Sequence, residues 1–299
     1  MEKKSVQTTV IGSYPVDLNN IKIMNSYFNQ ELFSWDPVIK SAVDDMIKAG
    51  IDIVSDGQTR DPFTNIYIRK LKGCRIRSRP EIIGKVEYNG PITVDDIKYV
   101  SSIIPKENNV IGLIAGPFTL FKSCVNNFYK DEKQLCFDFA KALNNEAINL
   151  SKHCNIISVD EPFFSLGMPE YASDLIKTVI KNVNCTIRLH SCGDVSEIIP
   201  DLINLPVDIL SHEFKATPKL FDCFKEYDFK QHICLGSVRS DDPRVESVDE
   251  IKKHIKKGID VFDKKIVQIS PDCGLRMQSR SVAFEKLKNL AFACRDIYG

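Results

Sequence analysis

The chain has 299 residues, 40 basic against 40 acidic side chains, and a hydrophobic share of 43%. That share excludes a disordered chain, and zero formal net charge without a long run of one sign excludes the basic footprint of a nucleic-acid binder. No apolar stretch approaches the roughly 20 residues that span a bilayer, and the opening MEKKSVQTTVIGSYP lacks the apolar core of a signal peptide. A cytoplasmic protein with no membrane partner is expected.

The elements follow one rhythm. A β-branched run at Val6–Ile11 precedes an amphipathic stretch at Pro37–Ala49, and Ile51–Ser55 forms the second run. Leu71–Tyr99 interrupts the pattern: KGCRIRSRP and GKVEYNGP predict an inserted β-hairpin followed by a helix. The alternation resumes with Val110–Ala115, a helix at Glu132–Ser151, Ile156–Asp160, a helix at Tyr171–Asn182, Thr186–His190 and Val207–His212. It ends with His232–Gly236, a helix at Val248–Ile259, Ile266–Ser270 and a helix at Ser281–Ile297. Eight strand–helix units predict a closed (β/α)8 TIM barrel, one α/β domain over residues 1–299 with its insertion after the second strand. The alternative, an open doubly wound sheet, lacks a GxGxxG fingerprint after the first strand.

In such a barrel the site lies at the C-terminal ends of the strands. Here those ends read IGSY, SDGQTR, AGPFT, VDEP, HSCG, HEF, GSVR and SPDCGL, and they gather the chain's candidate acids, thiols and imidazoles. His190 and Cys192 are two apart, so strand alternation points both to the barrel mouth. By the same parity Glu213 faces in with Ser211, and His212 faces out. Cys273 sits on the turn after the eighth run. One imidazole, two thiols and one carboxylate are the donor types zinc prefers. Any one of them alone would be read as a packed thiol or a hydrogen-bonded histidine. The other eight of the ten cysteines are scattered, mostly in apolar stretches, and are expected to be reduced and buried.

Asp160 points inward with Ser158 by parity. It could hold a substrate ammonium, act as a general base, or pair with Arg188. Glu161 points the other way, where a rim ion pair is the plain expectation. Gly12 and Gly116 could permit close approach of a ligand to the backbone.

TTVIGSYP, AGPFT, VDEP, HSC, the glutamate of SHEF and SPDCGL, in this order, resemble the catalytic C-terminal barrel of cobalamin-independent methionine synthase. The resemblance runs from Thr8 to the final helix. It implies a zinc ion held by His190, Cys192, Glu213 and Cys273, and homocysteine bound at its amino-acid end through Ile11, Gly12, Ser13 and the catalytic-site Asp160. Where that family has a second substrate-binding glutamate, this chain offers Gln58. It departs further on the methyl-donor side: Ser123 stands near the position of a folate-stacking tryptophan, and Asp241 and Asp242 precede Pro243 where a proton-relaying histidine is expected. The N-terminal barrel of the two-barrel members has no counterpart in the sequence.

These features are similar to a short, core-only branch that takes methyl from a corrinoid. The resemblance therefore implies methylcobalamin or a protein-bound methylcorrinoid as co-substrate, and a corrinoid protein as partner. Glu213, a hard oxygen donor among softer ligands, is the ligand expected to yield to the incoming thiol. HSCGDV is also similar to the coenzyme M methyltransferases of the uroporphyrinogen decarboxylase superfamily. Transfer to another thiol such as coenzyme M, a metal-free decarboxylase-like lyase, and a non-catalytic zinc-bearing carrier are the alternatives.

Overall fold

The computed structural model describes residues 6–18, 23 and 33–299. In chain order its strands are β1 (Gln7–Thr8), β2 (Ile53–Val54), β3 (Lys72–Ile76), β4 (Pro80–Glu87), β5 (Asn109–Ala115) and β6 (Val125–Asn126). They continue with β7 (Ile156–Asp160), β8 (Thr186–His190), β9 (Ile209–His212), β10 (His232–Val238) and β11 (Ile266–Pro271). Eight of them form one parallel sheet in the order β1-β11-β10-β9-β8-β7-β5-β2, and a parallel bridge from Thr9 to Ile53 brings its edges together. This is the predicted barrel, built from the eight predicted runs.

The strands read as nearly continuous apolar stretches because both faces are covered, by helices outside and by packed side chains within. The helices Asp36–Lys48, Glu132–Leu150, Ala172–Val179, Val248–Phe262 and Arg280–Tyr298 match the predicted amphipathic stretches to within a few residues. Val248–Phe262 starts where Ser247 and Glu250 cap each other reciprocally, and Asp131 caps Glu132–Leu150. Among the described residues no helix is long and apolar enough to cross a membrane. The opening residues 1–5 lie outside the described residues.

The first strand is shorter than its run. Only Gln7 and Thr8 pair with β11, while the Val10 carbonyl accepts from Arg188 Nη2 at 3.1 Å inside the barrel. At the junction with β2, side chains supplement the backbone ladder. The Asp52 carboxylate accepts from Thr8 N at 2.9 Å and from Thr8 Oγ1 at 2.8 Å.

The insertion is the predicted hairpin, with β3 antiparallel to β4 and a helix at Val94–Ile103 after it. Gly73 lies at an irregular step in that pairing with φ +75°, where a Cβ would come within 2.3 Å of the Lys85 carbonyl oxygen. Unforeseen from the sequence, β6 adds in parallel to β4 and makes a three-stranded sheet. Buried Glu146 fastens this sheet to the barrel's helical layer. Its carboxylate accepts from the Tyr88 hydroxyl, from Ile92 N, and from Thr93 N and Oγ1.

Candidate functional site

Register decides what meets at the mouth. Asp160 pairs with His190 across β7 and β8, and His190 with Ser211 across β8 and β9, so these side chains share one level of the barrel interior. His190 Nδ1 lies 3.1 Å from Ser211 Oγ, and Nε2 lies 3.2 Å from Cys192 Sγ. A Ser211 oxygen that accepts from Nδ1–H selects the tautomer whose Nε2 lone pair faces Cys192. Cys192 Sγ is in turn 3.2 Å from Cys273 Sγ. The ligand atoms of His190, Cys192 and Cys273 all lie within 4.8 Å of one another.

This donor set fits zinc. The hydrogen bond with Cys273, burial, and the negative charges of Cys273, Glu213 and Asp160 all push the Cys192 thiol well up. Burial, aided by Arg188, pushes the His190 imidazole well down and keeps it neutral. Two thiols and a neutral imidazole are donors that a zinc ion would bind with loss of the thiol protons.

Glu213 stands outside the three-residue group. It follows His212, the last residue of β9, and its Oε2 accepts from Gly193 N at 2.9 Å. Gly193 has φ +77°, a conformation in which a side chain would be strained. His212 faces outward as parity predicts, packing against Phe214 and Phe224 while Nδ1 meets the Ser191 carbonyl at 3.1 Å.

The cavity above the cluster has a volume of about 220 Å³, smaller than the roughly 300–1,000 Å³ of pockets for drug-sized ligands. Ile11, Ser13, Gln58, Asp160, His190, Cys192 and Cys273 line it, all of them candidates from the sequence. Phe63 and Pro162 also line it and were missed. Pro162 could have been found as the residue after the VDE carboxylates, whereas Phe63 lies in a loop without a motif. Gly12 does not line the cavity. A Cβ there would come within 2.9 Å of Gln58 Oε1, so this glycine makes room for the Gln58 amide. Gly274 similarly makes room for Ser13, whose Oγ lies 2.2 Å from where its Cβ would be.

Asp160 is buried and its Oδ1 accepts from Ser158 Oγ at 2.6 Å. The same hydroxyl accepts from Arg188 Nε at 3.1 Å, so serine links Asp160 to Arg188, pairing with which was one of its three expected roles. Burial raises the Asp160 pKa to about 6, against the lowering effects of Ser158 and Arg188. A cationic group entering the cavity would favour its carboxylate form.

Gln58 is only 4% exposed, and its Nε2 has no hydrogen-bond partner. Its backbone is left-handed, φ 46°, held by Gln58 N donating to Asp56 Oδ1 at 3.0 Å and by Arg276 donating to the Gln58 carbonyl. An unpaired buried amide donor costs about 1–3 kcal/mol, which an acceptor brought by a ligand would offset.

Glu161 corrects the rim expectation. It is fully buried, and its carboxylate accepts from Phe118 N, Thr119 N and Thr119 Oγ1, capping the short helix Pro117–Lys122. Gly116 explains itself by this contact: a Cβ there would lie 2.1 Å from the Glu161 carboxyl carbon, so it accommodates a side chain and not a ligand. None of the ten cysteines is in a disulfide; Cys136, Cys154, Cys234 and Cys294 are buried and the other six partly exposed.

The family described as "Cobalamin-independent synthase, Catalytic domain" matches residues 6–296. A methionine synthase of Methanocaldococcus jannaschii is 36% identical over 311 residues, covering 96% of this chain and 98% of that protein. One from Methanothermobacter marburgensis is 33% identical, covering 97% and 99%. Among solved structures, a B12-independent methionine synthase from Shewanella sp. W3-18-1 in complex with selenomethionine superposes with a TM-score of 0.84 at 22% identity, covering 98% of this chain and 97% of that one.

Proposed function

Because this chain belongs to the family of cobalamin-independent synthase catalytic domains and is a methyltransferase of the methionine synthase kind, we propose that it methylates the thiol of homocysteine at a zinc site made by His190, Cys192, Cys273 and the adjacent Glu213. The observation that carries this reading is the three-donor cluster at the base of a small cavity, faced by a buried carboxyl group and an unpaired amide. A zinc ion on these donors supplies acidity, since a thiol it coordinates is a thiolate at neutral pH while a free alkyl thiol is mostly protonated.

The remaining work falls to the chain. Ser211 fixes the His190 tautomer. Asp160 takes the substrate ammonium, which draws its carboxyl into the ionised form. Gln58 Nε2 donates to the substrate carboxylate, and Ile11 to Ser13 approach the same end through the backbone. Phe63 and Pro162 wall off water from the sulfur. In the transfer, a carbon–sulfur bond forms, the methyl–donor bond breaks with its electron pair leaving on the donor, and the thiol proton is lost.

The proposed donor is a methylcorrinoid, free as methylcobalamin or presented by a corrinoid protein. The matched family and the Shewanella enzyme are described as independent of cobalamin, and this reading departs from that description on particular residues. Ser123 donates to the Thr119 carbonyl where a folate would need a stacking ring. Asp241 is engaged by Arg239 where a relaying histidine would be needed. A methyl–cobalt bond needs neither feature, because no departing nitrogen has to be protonated.

The test is a panel of donors and thiols. Homocysteine should be methylated from methylcobalamin, faster when a corrinoid protein presents it, with little turnover from methyltetrahydrofolate. Turnover with the folate and none with any methylcorrinoid would overturn the donor assignment. Preference for coenzyme M would overturn the acceptor.

A further inference from the structure

Beside the substrate cavity, between the loops that follow β1, β2 and β11, lies a second cleft of about 410 Å³. Thr59, Arg276, Ser279 and Arg280 are among its walls. Thr59 is 3% exposed, and its hydroxyl is buried with no hydrogen-bond partner. Arg276 is partly buried, donates to the Gln58 carbonyl, and forms no ion pair among the described residues. Arg280 is occupied, by Asp45 from inside and by Asp17 from outside. The 19-residue helix Arg280–Tyr298 begins at the cleft with Ser279 as its cap. Its first turn presents N–H groups that have no intrahelical partner and carries the positive end of the helix dipole.

Arg276 and the helix start come from the segment after β11, and Thr59 comes from the loop after β2. A guanidinium without an ion pair, an orphaned hydroxyl and a helix start thus converge from two loops, and each is a donor. The one exposed carboxylate in the cleft is that of Asp17, with 84% side-chain exposure, which leaves it free to turn into water. A planar carboxylate would meet the guanidinium alone; a tetrahedral oxyanion has an oxygen for each donor.

We propose that this cleft binds an anion of the phosphate class, either free phosphate or a phosphate ester, next to the substrate cavity but distinct from it. The claim goes beyond the methyl-transfer reading and stands or falls without it. The test is calorimetric titration of the full chain at constant ionic strength with inorganic phosphate, ribose 5-phosphate and dimethyl phosphate. Saturable binding of at least one of them is expected, weakened roughly tenfold by Thr59→Val and by Arg276→Gln and retained by Thr59→Ser. Tighter binding of either ester assigns an ester, and tighter binding of inorganic phosphate assigns the free ion. Unsaturable heats with all three, or affinities unchanged in both Thr59→Val and Arg276→Gln, would overturn the proposal.

Discussion

Two levels of one barrel interior, two residues apart on β8, treat polarity in opposite ways. At the lower level Arg188 is fully buried and supplied with acceptors: Ser158 Oγ at 3.1 Å, the Val10 carbonyl at 3.1 Å and Gln268 Oε1 at 3.3 Å. At the upper level His190 and two thiols face one another, and the Gln58 amide donor has no partner. Asp160 and Glu161 repeat the contrast between neighbours in sequence, one opening on the cavity and one spent on capping a helix. A buried polar group with its partners supplied by the fold holds the fold; one whose partners are other donors, or nothing, is set for a ligand.

Removing a group from each level should therefore cost different things. Cys273→Ser is expected to abolish activity and to lower bound zinc from about one per chain to near zero, with the circular dichroism spectrum unchanged. Full zinc retention, by elemental analysis, would remove Cys273 from the ligand set. Arg188→Leu should do the reverse. It leaves several buried acceptors unpaired and is expected to cost about 3–5 kcal/mol in urea denaturation.

Asp160→Asn, at the upper level, falls between these two in expected effect. It should raise KM for homocysteine about 10–100-fold and barely affect a simple thiol without an amine, because a charge-assisted hydrogen bond is worth about 1.5–3 kcal/mol. Its pH signature is separate. The folded pKa of about 6 is above that of the unfolded chain, so the folded state holds the extra proton, and ionisation costs stability as pH rises from about 4 to 6. Asn lacks this loss, and the variant should gain on its parent by up to about 3 kcal/mol over that window, levelling off above it. A difference that stays flat between pH 4 and 7 would show that burial does not shift this group. The smallest effect belongs to Ser211→Ala, which leaves every ligand in place but frees the imidazole ring. Zinc affinity should fall about 10–100-fold in chelator competition, with little change in melting temperature.

The barrel was legible because both-sided burial makes each strand a run of β-branched residues that no other element in the chain imitates. Parity placed Asp160 and His190, which are paired strand residues, on the inner face. Past the strand ends, where Cys192 and Glu213 lie, alternation no longer governs the side chains. Glu213 follows the last residue of β9 and is drawn to Gly193 N, which alternation cannot express. Glu161 escaped for another reason: its partner Thr119 is 42 residues away on a helix of six residues, too short to show a period. The strand β6 has two residues and was invisible for the same cause.

The junction between β1 and β2 has a mechanical consequence. Every other neighbouring pair in the ring shares a ladder of two or more residue pairs, whereas this one rests on a single bridge reinforced by the Asp52 and Thr8 side chains. It is the line along which the ring yields with the fewest broken bonds, and amide hydrogens along it should exchange ahead of those on β7 and β8. The loops on either side carry Ser13 and Gln58, while His190, Cys192 and Cys273 extend from strands stitched along their length. On the proposed function, the end that holds sulfur is the stiff one and the end that takes the amino acid has compliance, an order in which the thiol is seated first and the rest of the molecule drawn in around it.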